Sequence, residues 1–204
     1  MLTIINHKLV DPEGRRTISY METPNHSGRF TGNLPDTVVI HYTAGASLKS
    51  SANWLTDRRA NASAHLVIGK WSEMIQLAPF NVRTWHAGIS SWKGRYNLNN
   101  YSIGIELDNA GILEKREDGY YTAFNKKIDL ASVVLARHKL DTSEKAWEAF
   151  PWEQIEAVIE ACQLLKNTYN IREIVGHDDI SPTRKRDPGP AFPMQYLKSR
   201  LGLE

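Results

Sequence analysis

The sequence has only one cysteine, Cys162, among its 204 residues. One cysteine cannot form a disulfide within the chain or a zinc site of paired cysteines, so a metal site would have to use His, Asp and Glu. No apolar run approaches the roughly 20 residues of a membrane span, and the start of the chain lacks a basic segment followed by an apolar one. We therefore expect a cytoplasmic protein with no membrane partner, although a phage-encoded protein or one exported without a signal has the same features.

The chain also lacks a charge excess of either sign. Its 25 Lys and Arg residues against 23 Asp and Glu give a net charge of +2, which is too small to indicate a nucleic-acid partner. With 41% hydrophobic and 24% charged residues, the composition is that of a globular chain that buries roughly 70% of its unfolded surface. We expect one domain, with a small or polymeric specific partner and no obligate protein partner.

The distribution of glycine and proline residues divides the chain into two parts. Residues 11–36 contain Pro12, Gly14, Pro24, Gly28, Gly32 and Pro35. This pattern predicts an irregular lead-in over residues 1–36, followed by the main domain over residues 37–204.

Hydrophobic periodicity predicts alternating strands and helices after residue 36. Strands are predicted at residues 37–42, 64–68, 74–77, 101–107 and 173–175, and the second and third of these form a hairpin. Helices are predicted at about 50–59, with Trp54 and Leu55 on the inner face, from Pro151 through Leu165, and at about 193–201. The segment 109–150 fits neither pattern. Interleaved strands and helices indicate a mixed α/β or α+β domain with one central sheet.

Two of the seven histidines lie at the ends of predicted strands. His41 ends the strand in VVIHYTA (38–44), and His177 follows the strand in IVGHDD (174–179). Ten residues later, a proline-rich loop can hold Asp187 near His177. Two imidazoles and one carboxylate would leave a fourth zinc position open, which is the catalytic rather than the structural arrangement. The alternative at this point is that the three are surface residues or satisfied core residues.

Five blocks of sequence, in order, resemble a known family. These blocks are VVIHYTA, SAHLVI (63–68), WHAG (85–88), SIGIEL (102–107) and GHDDISPTRKRDPGPAF (176–192). They resemble the zinc-dependent N-acetylmuramoyl-L-alanine amidases of the type 2 family, which includes AmpD-like and AmiD-like enzymes, phage amidase lysozymes and peptidoglycan-recognition proteins. The resemblance implies a single domain with a central mixed β-sheet flanked by helices, and hydrolysis of the lactyl amide between N-acetylmuramic acid and L-alanine.

The resemblance also implies a role for individual residues. It assigns His41, His177 and Asp187 as ligands of a Zn²⁺ cofactor. It assigns Glu106 as the acid/base partner and Lys185 as the cation that stabilises the developing oxyanion. Glu106 has an alternative interpretation as a rim carboxylate paired with Lys93 or Arg95, and Lys185, between Arg184 and Arg186, as part of a solvated basic face.

The predicted contacts with a peptidoglycan or muropeptide substrate lie in and near the same blocks. The predicted substrate-binding residues are Tyr42, Thr43, His65, Trp85, His86, Arg95 and Asp178. Arg95 is the expected partner of a stem-peptide carboxylate, because guanidinium binds carboxylate through two parallel hydrogen bonds. His65 can point into the cleft or away from it, and His86 can line the groove or pack below it. The unassigned segment 109–150 is interpreted as a roof over the cleft.

Two other functions are weighed against the amidase. A non-catalytic peptidoglycan-binding module on the same fold is expected to lack a metal ligand, whereas this chain has all three. A serine or cysteine hydrolase is not favoured, because the sequence has no G-x-S-x-G motif and Cys162 lies on the apolar face of the predicted helix.

Overall fold

The structure is a computed structural model that describes residues 2–203. The strands are β1 (Thr3–Ile5), β2 (Lys8–Val10), β3 (Ile18–Tyr20), β4 (His26–Arg29), β5 (Thr37–Tyr42), β6 (Leu66–Ile68), β7 (Met74–Gln76), β8 (Val82–Thr84), β9 (Ser91–Trp92), β10 (Arg95–Tyr96), β11 (Ser102–Leu107), β12 (Ile112–Arg116), β13 (Gly119–Tyr121), β14 (Lys127–Ile128), β15 (Val133–Arg137), β16 (Glu144–Glu148) and β17 (Glu173–Gly176). The α-helices are α1 (Leu48–Leu55), α2 (Trp152–Thr168), α3 (His177–Ile180) and α4 (Met194–Arg200). Over the described range, no helix is long and apolar enough to cross a bilayer.

A six-stranded mixed sheet forms the centre of the domain, in the order β17-β5-β11-β6-β7-β3. β5 pairs in parallel with both β17 and β11, and β11 pairs in parallel with β6. The β6–β7 hairpin is antiparallel, and β3 joins β7 in parallel. The predicted central mixed sheet flanked by helices is confirmed.

Both faces of this sheet are buried, which explains the continuous apolar runs of β5 and β11. On one face, α2 packs Ile155, Val158 and Leu165 against the sheet, in the cluster that contains Val38 and Ile105. On the other face lie two smaller clusters. The cluster formed with α1 has the buried members Ala52, Leu55, Ala64, Val67, Ile75 and Leu77. The cluster formed with the segment before β11 has the buried members Val39, Ala87, Leu98, Val175 and Ile180. The sheet therefore has only its edges and strand ends available for a site.

Helix α1 begins and ends earlier than predicted. Ser47 caps it, because its side chain accepts a hydrogen bond from the Ser50 amide while Ser50 bonds back to the cap. The helix ends at Leu55, and Arg58–Ala60 form a separate 3₁₀ turn. Leu55 is buried as predicted, but the prediction that Trp54 faces inward is wrong, since 54% of this residue is exposed.

Residues 1–36 were predicted to be irregular, but the described part of this segment contains four short strands. β3 extends the central sheet, and β4 pairs with β8. The β1–β2 hairpin buries Leu2 and Leu9 in the main core. These strands are only three or four residues long and their alternation is weak, which is why periodicity did not find them.

Segment 109–150 forms a second sheet. Its five antiparallel strands run in the order β14-β13-β12-β16-β15. Its own apolar cluster has four buried members, Ala110, Leu113, Ile128 and Ala146, while Trp147 of β16 is buried outside this cluster. A cluster of four residues leaves only a faint periodic pattern in the sequence, so the segment could not be assigned from periodicity.

Polar contacts hold this second sheet against the main domain. The buried His138 bonds through Nε2 to Oδ2 of Asp178 at 2.7 Å, and Lys139 Nζ lies 3.1 Å from Oδ1 of the same carboxylate. Nearby, Arg186 Nε donates to Asp141 Oδ1 at 3.0 Å. The turn after β15 is thus bonded to two residues, Asp178 and Arg186, that flank predicted metal ligands.

We expect His138→Phe to lower the free energy of unfolding by roughly 1.5–3 kcal/mol, the range for losing a hydrogen bond to a charged group. The phenylalanine ring preserves the contact with Trp147, whose ring centroid lies 5.9 Å from that of His138, but it cannot donate to Asp178. Urea unfolding measures the change. The exposed His26, replaced in the same way, serves as the control and should change stability by less than about 0.5 kcal/mol; equal values for both variants would contradict the bracing role of His138.

Candidate metal centre and cleft

The parallel pairing of three strands gathers predicted site residues at one sheet edge. In the β5–β11 register, His41 lies opposite Glu106. In the β17–β5 register, Gly176 lies opposite Ile40, so His177, the next residue, begins beside the end of β5. The carboxyl ends of parallel strands are where open sheets of this kind form their sites.

Asp187 reaches the same point through the loop that follows α3. The Asp178 amide donates to the Asp187 carbonyl at 2.8 Å, which closes the loop beside His177. The Lys185 amide donates to the Ser181 carbonyl at 2.9 Å. These backbone bonds bring a residue ten positions from His177 back to the sheet edge.

The three candidate ligand atoms form a nearly equilateral triangle. His41 Nδ1 lies 2.9 Å from His177 Nδ1 and 3.0 Å from Asp187 Oδ2, and His177 Nδ1 lies 2.9 Å from the same oxygen. All three residues are buried. This spacing suits atoms that share a zinc ion, whose bonds to nitrogen and oxygen are roughly 2.0–2.2 Å.

The protonation states at this centre also fit a metal. Burial and the neighbouring His177 lower the pKa of His41 to about 4, so its ring is neutral at pH 7. Burial raises the pKa of Asp187, but its interactions with His177 and His41 outweigh burial and hold that pKa below its usual value. His177 Nε2 donates to the Ala87 carbonyl at 3.1 Å, which leaves the Nδ1 lone pair facing the triangle. Neutral imidazoles and an ionised carboxylate are the forms that bind metals.

Glu106 lies beside the triangle. Its Oε2 is buried and makes no hydrogen bond with any of residues 2–203. Burial and the charge of Asp187 raise the pKa of Glu106 well above its ordinary value, while Lys185 opposes the rise. The alternative that Glu106 is a rim carboxylate does not hold, because Lys93 pairs with Glu173 and Arg95 with Asp36.

Lys185 differs from the two arginines that flank it. Arg184 donates to the Ala87 carbonyl at 2.9 Å, and Arg186 donates to Asp141. Lys185 lines the cleft that contains the triangle, and its charge lowers the pKa of both His41 and Glu106. Among residues 2–203 it has no salt-bridge partner, so its ammonium group is available to a ligand.

Comparison with known proteins gives the family. The family model of the N-acetylmuramoyl-L-alanine amidases matches residues 31–190. This chain belongs to that family. AmiD of Escherichia coli strain K12 is 35% identical over 170 residues, which cover 78% of this chain and 51% of AmiD. The 1,6-anhydro-N-acetylmuramyl-L-alanine amidase AmpD of the same strain is 35% identical over 130 residues, which cover 64% of this chain and 53% of AmpD. The chain thus spans about half the length of these curated relatives.

Solved structures of family members share the fold. E. coli AmiD, in complex with the substrate anhydro-N-acetylmuramic acid-L-Ala-D-γ-Glu-L-Lys, has a TM-score of 0.63 and 30% identity, and the match covers 99% of this chain and 66% of AmiD. A crystal structure of an AmpD derivative has a TM-score of 0.66 and 23% identity, with 97% of this chain and 98% of that chain covered, and shows the fold alone. The predicted family and fold are confirmed.

The family cleft in this chain encloses about 440 Å³. The structure places four of the predicted substrate-binding residues along it, namely Tyr42, Thr43, Trp85 and His86. The lining residues that sequence reasoning missed include Trp54 and Ile112. Trp54 had been predicted to face the core, and Ile112 belongs to the segment with no assigned structure. Ile112 shows that the second sheet supplies part of the cleft wall, although a roof over the cleft stays a prediction.

Three other predicted substrate-binding residues point elsewhere. Arg95 Nη1 binds both carboxylate oxygens of Asp36 at 2.8 Å, and its guanidinium stacks over Tyr101. Asp178 faces His138 and Lys139. Both side chains thus have charged or hydrogen-bonding partners within the fold, and neither lines the cleft that contains the triangle; their contact with substrate stays a prediction.

The prediction that His65 contacts substrate needs correction, because His65 is fully buried and does not line the cleft. Its Nε2 donates to the Val82 carbonyl at 2.7 Å, and its Nδ1 accepts from the Gly104 amide at 3.0 Å. Both ring nitrogens are thus used to hold neighbouring backbone in place. Cys162 is buried on α2 as predicted, and burial raises the pKa of its thiol to about 12.

The raised pKa of Glu106 gives a pH prediction for the metal-free protein. Because the folded state binds this proton more tightly than the unfolded state, the Glu106 contribution to stability is present below pH 4.5 and is lost as the pH rises through the raised pKa. Because glutamine does not ionise, the Glu106→Gln variant does not lose stability through this ionisation. We expect the variant to gain stability relative to the wild-type protein as the pH rises from about 4.5, measured by urea unfolding at several pH values. A stability difference that is independent of pH would contradict the raised pKa.

Proposed function

We propose that this chain is a zinc-dependent N-acetylmuramoyl-L-alanine amidase. It would hydrolyse the amide between the lactyl carbonyl of N-acetylmuramic acid, or of its anhydro form, and the nitrogen of L-alanine. The observation that carries the proposal is the triangle of His41, His177 and Asp187 beside the unpartnered Glu106. The AmiD complex, from a relative with 30% identity, contains a substrate with this linkage.

The ligand set fits zinc by its chemistry as well as its spacing. His41, His177 and Asp187 offer two imidazole nitrogens and one carboxylate oxygen, a set of three protein ligands typical of catalytic zinc. When bound, zinc would polarise the amide carbonyl and make water a competent nucleophile near pH 7. The open cleft gives an amide access to this centre.

Glu106 and Lys185 supply the remaining chemistry from this chain. The Glu106 carboxylate would take a proton from the attacking water and return it to the leaving nitrogen, so that L-alanine departs as an amine and the lactyl group as a carboxylic acid. Because its pKa is raised above the ordinary value of a glutamate, the Glu106 carboxyl is better suited to both steps. The Lys185 ammonium would stabilise the negative charge that develops on the carbonyl oxygen more than it stabilises the neutral amide.

The cleft walls suit a ligand with both apolar and polar parts. Trp54 and Trp85 offer aromatic surface, and Ile112 offers an aliphatic side chain. The buried Ser51 hydroxyl lines an adjoining part of the cleft with Glu106, and it has no hydrogen-bond partner in the described part of the chain. A muropeptide combines a sugar ring, methyl groups and amide carbonyls, which these groups can contact.

The metal assignment predicts about one zinc ion per chain in the purified protein. Asp187→Ala should reduce the bound zinc strongly, because it removes one of three protein ligands. Metal content is measured by elemental analysis after gel filtration. Asp118, an exposed carboxylate paired with Lys127, provides the control, and its alanine variant should keep the zinc. Unchanged zinc in Asp187→Ala would mean that another residue is the third ligand.

The catalytic assignment predicts that Glu106→Gln keeps zinc but loses turnover by on the order of 100-fold or more, as expected for loss of general acid–base catalysis. Intact sacculi and purified anhydro-muramyl-tripeptide are digested side by side, and mass spectrometry detects peptides released with a free L-alanine amine. Glu114→Gln, on the exposed second sheet, is the matched control. Near-wild-type turnover in Glu106→Gln would remove Glu106 from the mechanism, and binding of sacculi without peptide release by wild-type protein would identify a binding module.

A further inference from the structure

His86 lies between the metal centre and the backbone of β11. Only 7% of it is exposed, and its ring stands at 85° to that of His41, with the centroids 5.2 Å apart. His86 Nδ1 is 3.1 Å from His41 Nε2, the nitrogen on the far side of the ring from the candidate metal. The sequence had suggested that His86 lines the groove or packs below it.

The partners of His86 Nε2 show which of the two rings donates in the hydrogen bond between His41 Nε2 and His86 Nδ1. His86 Nε2 lies 3.2 Å from both the carbonyl oxygen and the hydroxyl oxygen of Ser102. The carbonyl can only accept, and the hydroxyl donates its own proton to the Leu98 carbonyl at 2.6 Å. The proton of the neutral ring therefore sits on Nε2, and Nδ1 carries a lone pair that accepts from His41 Nε2.

This hydrogen bond decides which nitrogen His41 presents to the metal. Once Nε2 of His41 carries the proton, its Nδ1 lone pair faces His177 and Asp187. His177 achieves the same state through a backbone carbonyl, that of Ala87. We propose that His86 is a positioning residue that takes this role for His41, by accepting the Nε2 proton and so holding His41 in the tautomer that binds metal through Nδ1.

The surroundings of His86 hold its ring at this place. Asn99 Oδ1 accepts from the backbone amides of His86 and Ala87, at 3.0 and 2.7 Å. Gly104, in the middle of β11, leaves the space that the ring fills, because a Cβ at this position would lie 2.4 Å from His86 Cγ. The WHAG and SIGIEL blocks thus meet at a single contact between a histidine ring and a glycine.

The inference rests on the proposed metal site, and two variants of nearly equal shape test it. His86→Asn keeps an acceptor oxygen close to the position of Nδ1, whereas His86→Leu has the same branching and no acceptor. Zinc affinity of the metal-free proteins is measured by competition with a chromogenic chelator. We expect the Leu variant to bind zinc about 10–100-fold more weakly than the wild-type protein, the usual effect of losing such a partner, and the Asn variant to stay close to wild type.

Nitrogen-15 NMR of the metal-free proteins reports which ring nitrogen of His41 carries the proton, which is a readout of the tautomer itself. The proton of His41 should be found on Nε2 in the wild-type and Asn proteins, and its signal should broaden or shift in the Leu variant. Equal zinc affinities of the Leu and wild-type proteins, or equal losses in both variants, would overturn the role of His86. Failure of the wild-type protein itself to bind zinc would overturn both this inference and the proposed function.

Discussion

The parallel pairing of β17, β5 and β11 is the constraint on which the site depends. Parallel strands in register end at the same edge, so one residue from each strand end meets its neighbours there. His41 and Glu106 are directly opposite, and His177 begins beside them. A shift of one residue in either register would turn His41 or Glu106 to the opposite face of the sheet. Val38 and Ile40 pack in the core layer on one face of the sheet, and Val39 packs in the layer on the other face.

A cluster of buried polar groups at such an edge is costly unless each group is satisfied. For the two candidate histidine ligands, the structure provides a hydrogen-bonding partner for the nitrogen that faces away from the candidate metal. His177 Nε2 uses the Ala87 carbonyl, and His41 Nε2 uses His86. The remaining Nδ1 and Oδ2 atoms face one another, where a divalent cation would stabilise all three. Folding and metal binding are therefore expected to be coupled in this domain.

The parts of the fold that could be predicted from the sequence are the long elements that bury much apolar surface. β5, β11 and α2 were predicted because their apolar residues follow a strand or helix pattern over six residues or more. Local pattern also located His41 and His177 at strand ends, while Asp187, Glu106 and Lys185 depended on the resemblance. Arg95 illustrates the limit of this reasoning. Its guanidinium suits a substrate carboxylate, but Asp36 lies within reach in the fold and satisfies it first, which no local pattern reveals.

The second sheet escaped prediction for a related reason, and its attachment explains how a weakly apolar segment still affects the site. Its own apolar cluster is small, and polar bonds to the main domain help to hold it in place, together with the buried Trp147 beside Gly189. Two of those bonds reach Asp178 and Arg186, each adjacent in sequence to a candidate metal ligand. Because Asp178 also donates its amide to the Asp187 carbonyl, the turn at residues 138–141 braces the loop that carries Asp187. The segment that supplies Ile112 to the cleft wall therefore also helps to hold the candidate metal ligands at their spacing.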